Sequence, residues 1–311
     1  MLLKHLSKGD TIGIINPAFK NPKDSMTRYS KMFETFEALG YKVKLGKSFF
    51  AEEGYLAGSD ELRAEDVNEM FKDEEVKAII CMRGGYGASR MIDKVDFAMI
   101  KENPKIICGF SDITVLLNAI NRKCDIPTIH GLVGIYVGSN SCDEWSMNDF
   151  WKILTEKQKG RVLKNPNDEC KTLIPGKVTG KLIGGNLSLV ATTCGSLYGA
   201  DFTDKIVFLE DVGEEPYRLD RYLSALSLAG MLDKAKGFVF GYFTGSDTSD
   251  SRKGTQTVMD IINRYVGGLG KPVIYDFACG HSFPFVNLPI GALVTLDADN
   301  KTLTIEEEIY E

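Results

Sequence analysis

The chain has 311 residues, 43% hydrophobic and 26% charged, with a formal net charge of -6. That length buries a substantial core in one large domain or two, and the acidic balance gives no electrostatic reason to expect a nucleic-acid partner. No run approaches the roughly 18 uninterrupted apolar residues of a membrane span, and the start, MLLKHLSKGDTIGIIN, lacks the apolar core and small-residue cleavage site of a secretory signal.

Strand-like and helix-like segments alternate from the beginning. TIGIINPA is a short β-type run ending at Pro17, and Met26 to Leu39 carries Tyr29, Met32, Phe33 and Phe36 at helical spacing. Ser25 suits the N-cap of that helix and Gly40 its stop. YKVKLG reads as a strand, and a helix from Asp60 to Phe71 sets Ala64, Val67, Met70 and Phe71 on one face. VKAIICM and KIICG are continuous apolar runs, as strands buried on both faces of a parallel sheet must be. A helix from about Asp112 to Asn121 follows, bearing Ile113, Leu116, Leu117 and Ile120. The rhythm predicts an α/β domain over 1–140, an open parallel sheet with helices on both faces.

It weakens after Gly138. Residues 141–171 are polar, with a short helix near Trp151, and read as a connection. A β-rich α/β domain is expected over 172–311. Its strand candidates are TLIPGKVTGKLIGG, KIVFLED, KGFVFGYF, ALVTLDAD and KTLTIEEE, with helices after Asn186, at Arg218 to Ala229 and at Thr255 to Tyr265. The seven cysteines are scattered and odd in number, and Cys81 and Cys108 lie inside apolar runs. Such thiols behave as small hydrophobes in a reducing cytoplasm rather than as a disulfide framework.

Sites in an open parallel sheet form at the carboxyl ends of its strands, where the chain places NPAF, RGGYGAS and GFSD. GFSD joins a strand directly to a helix, the context of a nucleophile elbow, which lifts the Ser111 hydroxyl clear of the sheet and turns the next N–H toward the same point. Position 113 is Ile where the elbow consensus has Gly, and Ser111 or Asp112 serves equally as a helix cap. Taken alone, the segment favours the cap. RGGYGAS fits neither a dinucleotide fingerprint nor a P-loop; it is either a plain turn or a nest of donors suited to an oxyanion.

A serine nucleophile needs a base, and the candidates are His5, His130 in IPTIHGL and His281 in FACGHSFPF. A single loop histidine is more often structural than catalytic. An orienting carboxylate could be Glu210 or Asp211, closing KIVFLED, and pattern alone does not choose between them; Glu214 and Glu215 sit in the following turn. Three dispersed histidines and no paired-cysteine spacing give no metal site, and nothing calls for a cofactor.

CMRGGYGASRMIDKVD, KIICGFSDITVLLNAI, GKLIGGNLSLVATTCGS, IVFLEDVGEEPYRLDRYLSAL and FACGHSFPFVNLPIG follow one another between about residue 11 and residue 292. In that order they resemble the LD-carboxypeptidase family of serine peptidases, which includes muramoyltetrapeptide carboxypeptidases. The resemblance implies a flavodoxin-like N-terminal domain holding the nucleophile and a β-rich C-terminal domain supplying acid and base. It implies Ser111 as nucleophile, His281 as base, Glu210 as orienter, and the N–H groups of Gly85 and Asp112 as oxyanion donors. It also implies a murein-derived peptide substrate losing its terminal D-alanine in the cytoplasm, and a homodimer, for which the sequence carries no interface signature. Substrate contacts fall on Arg83, beside the glycine turn, and Asn186, whose GGN resembles a family motif near the site.

A second branch resembles microcin-immunity peptidases, which cut beside a nucleotide and use an extra loop with an aromatic stacker. The compact FLEDVGEEPYRLDRYLSAL segment looks more like the murein branch, although Trp145 and Trp151 could meet a base. A thiol enzyme of the glutamine-amidotransferase kind would need cysteine at the elbow, and Cys108 is three residues early. A non-catalytic binding module on this fold would leave the serine, glutamate and histidine motifs unexplained.

Overall fold

Parallel strands cannot be joined by two-residue turns and need crossovers, and the helical segments between the apolar runs provide them. In the computed structural model, which describes residues 2–247 and 256–311, the strands in chain order are β1 (Thr11–Ile15), β2 (Lys42–Leu45), β3 (Val76–Cys81), β4 (Ile106–Gly109), β5 (Thr128–His130), β6 (Val162–Leu163), β7 (Lys171–Ile174), β8 (Lys177–Asn186), β9 (Lys205–Val212), β10 (Gly237–Thr244), β11 (Val273–Tyr275), β12 (Leu288–Ile290), β13 (Leu293–Asp297) and β14 (Thr302–Ile305). The chain forms two compact units. One takes the chain up to Gln158 with Asn287–Pro289 and Glu308–Glu311; the other takes Lys159–Val286 and Ile290–Glu307.

The first unit is built on a sheet of order β12-β5-β4-β3-β1-β2, in which β1 to β5 are joined by parallel pairings. The order 2-1-3-4-5 is that of flavodoxin-like sheets, whose direction of winding reverses between β1 and β3 and opens a crevice there. Consecutive residues of β3 and β4 are buried rather than alternate ones, because helices cover both faces. Ile14, Ile80, Ile107 and the thiols of Cys81 and Cys108 are wholly inside, and burial pushes both thiols well above their ordinary pKa.

The edge strand β12 comes from far along the chain and contains Pro289, which a sheet edge tolerates. Asn287 pins it: its Oδ1 accepts from the Leu132 N–H at 2.9 Å, and its N–H and Nδ2 donate to Asp149 Oδ2 at 2.8 and 2.9 Å. Asp149 belongs to the helix Glu144–Thr155, N-capped by Asp143, inside the polar stretch after Gly138. On the same helix Trp151 lies flat on Tyr41 at 5.7 Å and edge-on to Phe36 at 5.9 Å.

The helix expected over Met26 to Leu39 is two, Ser25–Arg28 and Ser30–Ala38, so Ser25 lies within the first rather than capping it. Tyr29 separates them, its ring drawn into the core against Phe49 at 6.3 Å. Likewise TLIPGKVTGKLIGG is not one strand. Pro175 lacks an N–H and Gly176 takes φ 126°, so β7 pairs with β11 at a sheet edge while β8 runs through the middle.

The second unit holds the sheet β6-β14-β13-β8-β9-β10-β11-β7. Its centre, β8 to β11, is parallel, and its flanks are antiparallel. The last helix, Val258–Val266, starts with a capping box between Thr257 and Asp260; Thr255, where it was expected to begin, lies outside the described residues. Among the described residues no helix is long and apolar enough to cross a membrane.

Candidate active site

Two constellations form at the carboxyl ends of parallel strands, one in each unit. In the first, β4 ends at Gly109, and Ser111 follows in the left-handed region with φ 63°, a conformation that a residue bearing a β-carbon adopts only under constraint. Space for so sharp a turn comes from Gly109, where a β-carbon would stand 2.9 Å from Ile113 and 3.1 Å from Cys81. The helix Thr114–Cys124 is entered through a 3-10 turn at Ser111–Ile113, and neither Ser111 nor Asp112 caps it with its side chain. The capping reading therefore falls, and Ser111 is left half-exposed.

Against Ser111 lies the glycine turn after β3. A β-carbon on Gly84 would be 2.8 Å from Ser111 Cβ and 3.0 Å from its Oγ. Gly85 takes φ 122°, and a β-carbon there would meet the Phe19 ring at 2.3 Å, so both positions require glycine. Asp112 points away from solvent, and its Oδ2 accepts from the Ala88 N–H at 2.8 Å, tying the elbow to the turn. Burial raises its carboxyl to about 6, against the Ala88 hydrogen bond and the Arg63 charge.

Arg63 was missed by the sequence reading. It is fully buried and donates through Nη1 to the carbonyls of Pro17 at 2.6 Å and Gly87 at 2.8 Å, through Nε to Gly58 at 3.3 Å, and through Nη2 to Asp60. It thus holds the loops after β1 and β3 at the point where the sheet's winding reverses. A signal existed: Arg63 precedes Val67 by four and Met70 by seven residues, which puts an arginine on the apolar face of its helix. Arg83, expected to contact substrate, donates to the Lys20 carbonyl at 3.2 Å and lies over the Phe19 ring at 5.9 Å.

In the second unit, β8 and β9 end side by side, with Asn186 paired to Glu210 in register. Glu210 is fully buried, and its Oε2 accepts from His281 Nδ1 at 2.7 Å. A carboxylate only accepts, so the bond sets the proton on Nδ1 of the neutral ring and leaves Nε2 as the basic nitrogen. Burial disfavours the imidazolium, but the charge and hydrogen bond of Glu210 outweigh it and the pKa of His281 is raised.

The loop after β11 reaches Glu210 because of glycine. The Tyr242 N–H of β10 donates to the Cys279 carbonyl at 2.9 Å, and a β-carbon on Gly241 would stand 2.2 Å from that oxygen. At Gly280, φ 140°, a β-carbon would lie 3.0 Å from Glu210 Oε2. Ser282, beside His281, meets the Thr244 hydroxyl at 2.7 Å.

Asn186 is 3% exposed, and its amide is used within the protein. Nδ2 donates to Asp211 Oδ1 at 3.0 Å and Glu210 Oε1 at 3.4 Å, while Oδ1 accepts from Ser188 Oγ at 2.6 Å. Asp211 accepts from the Ser188 N–H at 2.9 Å, and burial, with the neighbouring Glu210 charge, raises its carboxyl to about 6. Glu214 is 3.5 Å from Arg218, and Glu215 is the N-cap residue of the helix Pro216–Leu228. His130 is buried on β5 with its ring edge-on to Phe110 at 5.9 Å, and His5 is half-buried near the chain start. All seven cysteines are free, and no cluster of His, Cys, Asp or Glu fit for a metal ion occurs among the described residues.

A strained serine on a strand-to-helix turn, in one unit, and a buried Glu–His pair, in the other, are each features that serine hydrolases use. Models of the LD-carboxypeptidase N-terminal and C-terminal domains match residues 12–131 and 179–296. The chain is 36% identical to the probable murein peptide carboxypeptidase of Bacillus subtilis, over 99% of this chain and 95% of that protein. It is 29% identical to the murein tetrapeptide carboxypeptidase of Pseudomonas aeruginosa, over 93% of each. A solved structure of the microcin C7 self-immunity protein MccF of Escherichia coli, in complex with aspartyl sulfamoyl adenosine, superimposes with a TM-score of 0.90 at 27% identity, covering 100% of both chains. The chain belongs to the LD-carboxypeptidase family and is a serine carboxypeptidase acting on peptides.

Proposed function

We propose that this enzyme removes the C-terminal D-alanine from murein tetrapeptides, with Ser111 as nucleophile, His281 as general base and Glu210 as orienter. The observation that carries the reading is the 2.7 Å contact between buried Glu210 and His281 Nδ1, which sets the proton of the neutral ring on Nδ1 and makes Nε2 its basic nitrogen. Its complement is the strained Ser111 against Gly84. His281 takes the Ser111 proton as Oγ attacks the carbonyl before the terminal residue. The amides of Gly85 and Asp112 receive the oxyanion; among the described residues no acceptor takes the Gly85 N–H. Each such donor contributes about 3–4 kcal/mol where measured elsewhere. His281 then protonates the leaving amine, and water hydrolyses the acyl-enzyme. Asn186 acts here by holding Glu210 and Asp211 rather than by reading substrate. The seven free thiols support the cytoplasm as the compartment.

The likeness to the sulfamoyl-adenosine complex of MccF favours a second reading, hydrolysis beside a nucleotide. Of the two tryptophans, Trp151 is committed to packing on Tyr41 and Phe36, which speaks against it, while Trp145 is 38% exposed. The test is release of free D-alanine from an L,D-linked tetrapeptide, run beside an aminoacyl-sulfamoyl nucleoside. Release from the tetrapeptide, lost in Ser111→Ala, is expected. Cleavage of the nucleoside alone would overturn the murein reading, and full turnover by Ser111→Ala would overturn the mechanism.

A further inference from the structure

A cavity of about 410 Å³ in the first unit has no part in the steps above. Its wall carries Arg28, Lys31 and Arg83, together with Tyr29, Tyr136 and the 137–141 turn, and no acidic side chain. None of the three cations has an ion-pair partner among the described residues. The Arg83 Nε is buried without an acceptor. Burial raises the pKa of the Tyr29 phenol; the charges of Arg83 and Arg28 oppose that rise, and Asp24, outside the cavity wall, adds to it.

Two chains of neighbouring residues link the cavity wall to Ser111. Arg83 is bonded to Gly84, which abuts the Ser111 side chain, and Tyr136 stacks at 6.2 Å on Phe110, the residue before Ser111. Like charges lining a concavity whose wall holds no carboxylate create a positive potential that captures anions, and guanidinium groups match the planar geometry of a carboxylate. We propose that this cavity is a subsite binding a carboxylate of the peptide substrate. The assignment rests on the peptidase reading above and adds to it the acidic character of the ligand. Its effect is to hold the peptide beside Ser111, so its loss weakens binding more than turnover.

The test uses the full chain with Ser111→Ala, so that peptide binds without being consumed, and compares it with the same protein also carrying Arg28→Gln and Lys31→Gln. Both added positions are exposed, and a melting curve checks that the fold is kept. Calorimetry is run with the murein tetrapeptide, with the same peptide amidated at its internal carboxylates, and with the peptide amidated at its C-terminus. The Kd for the parent is expected to rise about tenfold in the added variant, and one of the two amides is expected to bind both proteins equally, identifying the carboxylate read. An unchanged Kd for the parent, no measurable binding of the parent to either protein, or the same loss with both amides would overturn the subsite. Failure of the peptidase reading is seen separately, as no D-alanine release by the unaltered enzyme.

Discussion

Ser111 at φ 63° holds a backbone conformation that costs roughly 1–2 kcal/mol for a residue with a β-carbon, and its neighbours must offset that cost. Gly84 leaves no room for a methyl group against the serine. Gly84→Ala should therefore displace the hydroxyl and lower kcat by about a hundredfold, with an overpacking cost of about 1–3 kcal/mol in a melting curve; unchanged kcat would show that the contact is irrelevant to chemistry. His281 presents a second test at this scale. Its raised pKa keeps the ring protonated to higher pH than a free imidazole, so the base form is lost as pH falls through that raised value. Glu210→Gln removes the charge responsible, and the acid limb of the pH–rate profile should move to lower pH while the plateau drops by about 10⁴. An acid limb that stays in place would mean that Glu210 does not set the titration of the base.

The elbow and the glycine turn belong to different strands, and buried ionic groups hold their loops. Asp112 bonds the turn directly, and Arg63 bonds the carbonyl of Gly87 within it. Because the carboxyl of Asp112 is raised to about 6, above the value of about 3.9 in an unfolded chain, its protonated form is favoured by folding. The stability it contributes is complete below about pH 4 and is lost as pH rises through about 6. Asp112→Asn keeps an acceptor for Ala88 and cannot ionise. Relative to the unaltered protein it should gain roughly 2–3 kcal/mol between pH 4 and pH 7, measured as the difference of two unfolding curves at each pH. A difference independent of pH would refute the buried-carboxylate account. The amphipathic pattern of the Arg63 helix was legible in sequence, but an arginine on its apolar face gains meaning only when three carbonyls from other loops converge on it.

At the scale of the molecule, the first unit is discontinuous in sequence. Its sheet edge is β12, pinned by Asn287, and Tyr310 is wholly buried in it with its hydroxyl donating to the Ile153 carbonyl at 2.5 Å. A fragment ending at Gln158 would leave β5 as a bare edge and open the Tyr310 cavity, at a cost of about 3–5 kcal/mol for the aromatic alone. Residues 1–158 should therefore fail to show a cooperative thermal transition by circular dichroism. A sharp transition in that fragment would mean that the late strand is dispensable.

Apolar runs alternating with helical periodicity determine the parallel α/β half by themselves, because each local preference agrees with burial on both sheet faces. The ordered motifs likewise determined the family, with Ser111 and Glu210 expected at strand ends and His281 in the loop that follows a strand. Other features depend on residues distant in the chain. Three-residue strands such as β5 and β12 carry too little pattern to be read, and exist through their neighbours in the sheet. Choosing between cap and strained elbow at Ser111 required the backbone angle that Gly84 and Gly109 permit. The Glu210–His281 hydrogen bond required the strand-end register and the bend at Gly280. Contact across 71 residues of chain is set by packing, and only the tertiary structure decides it.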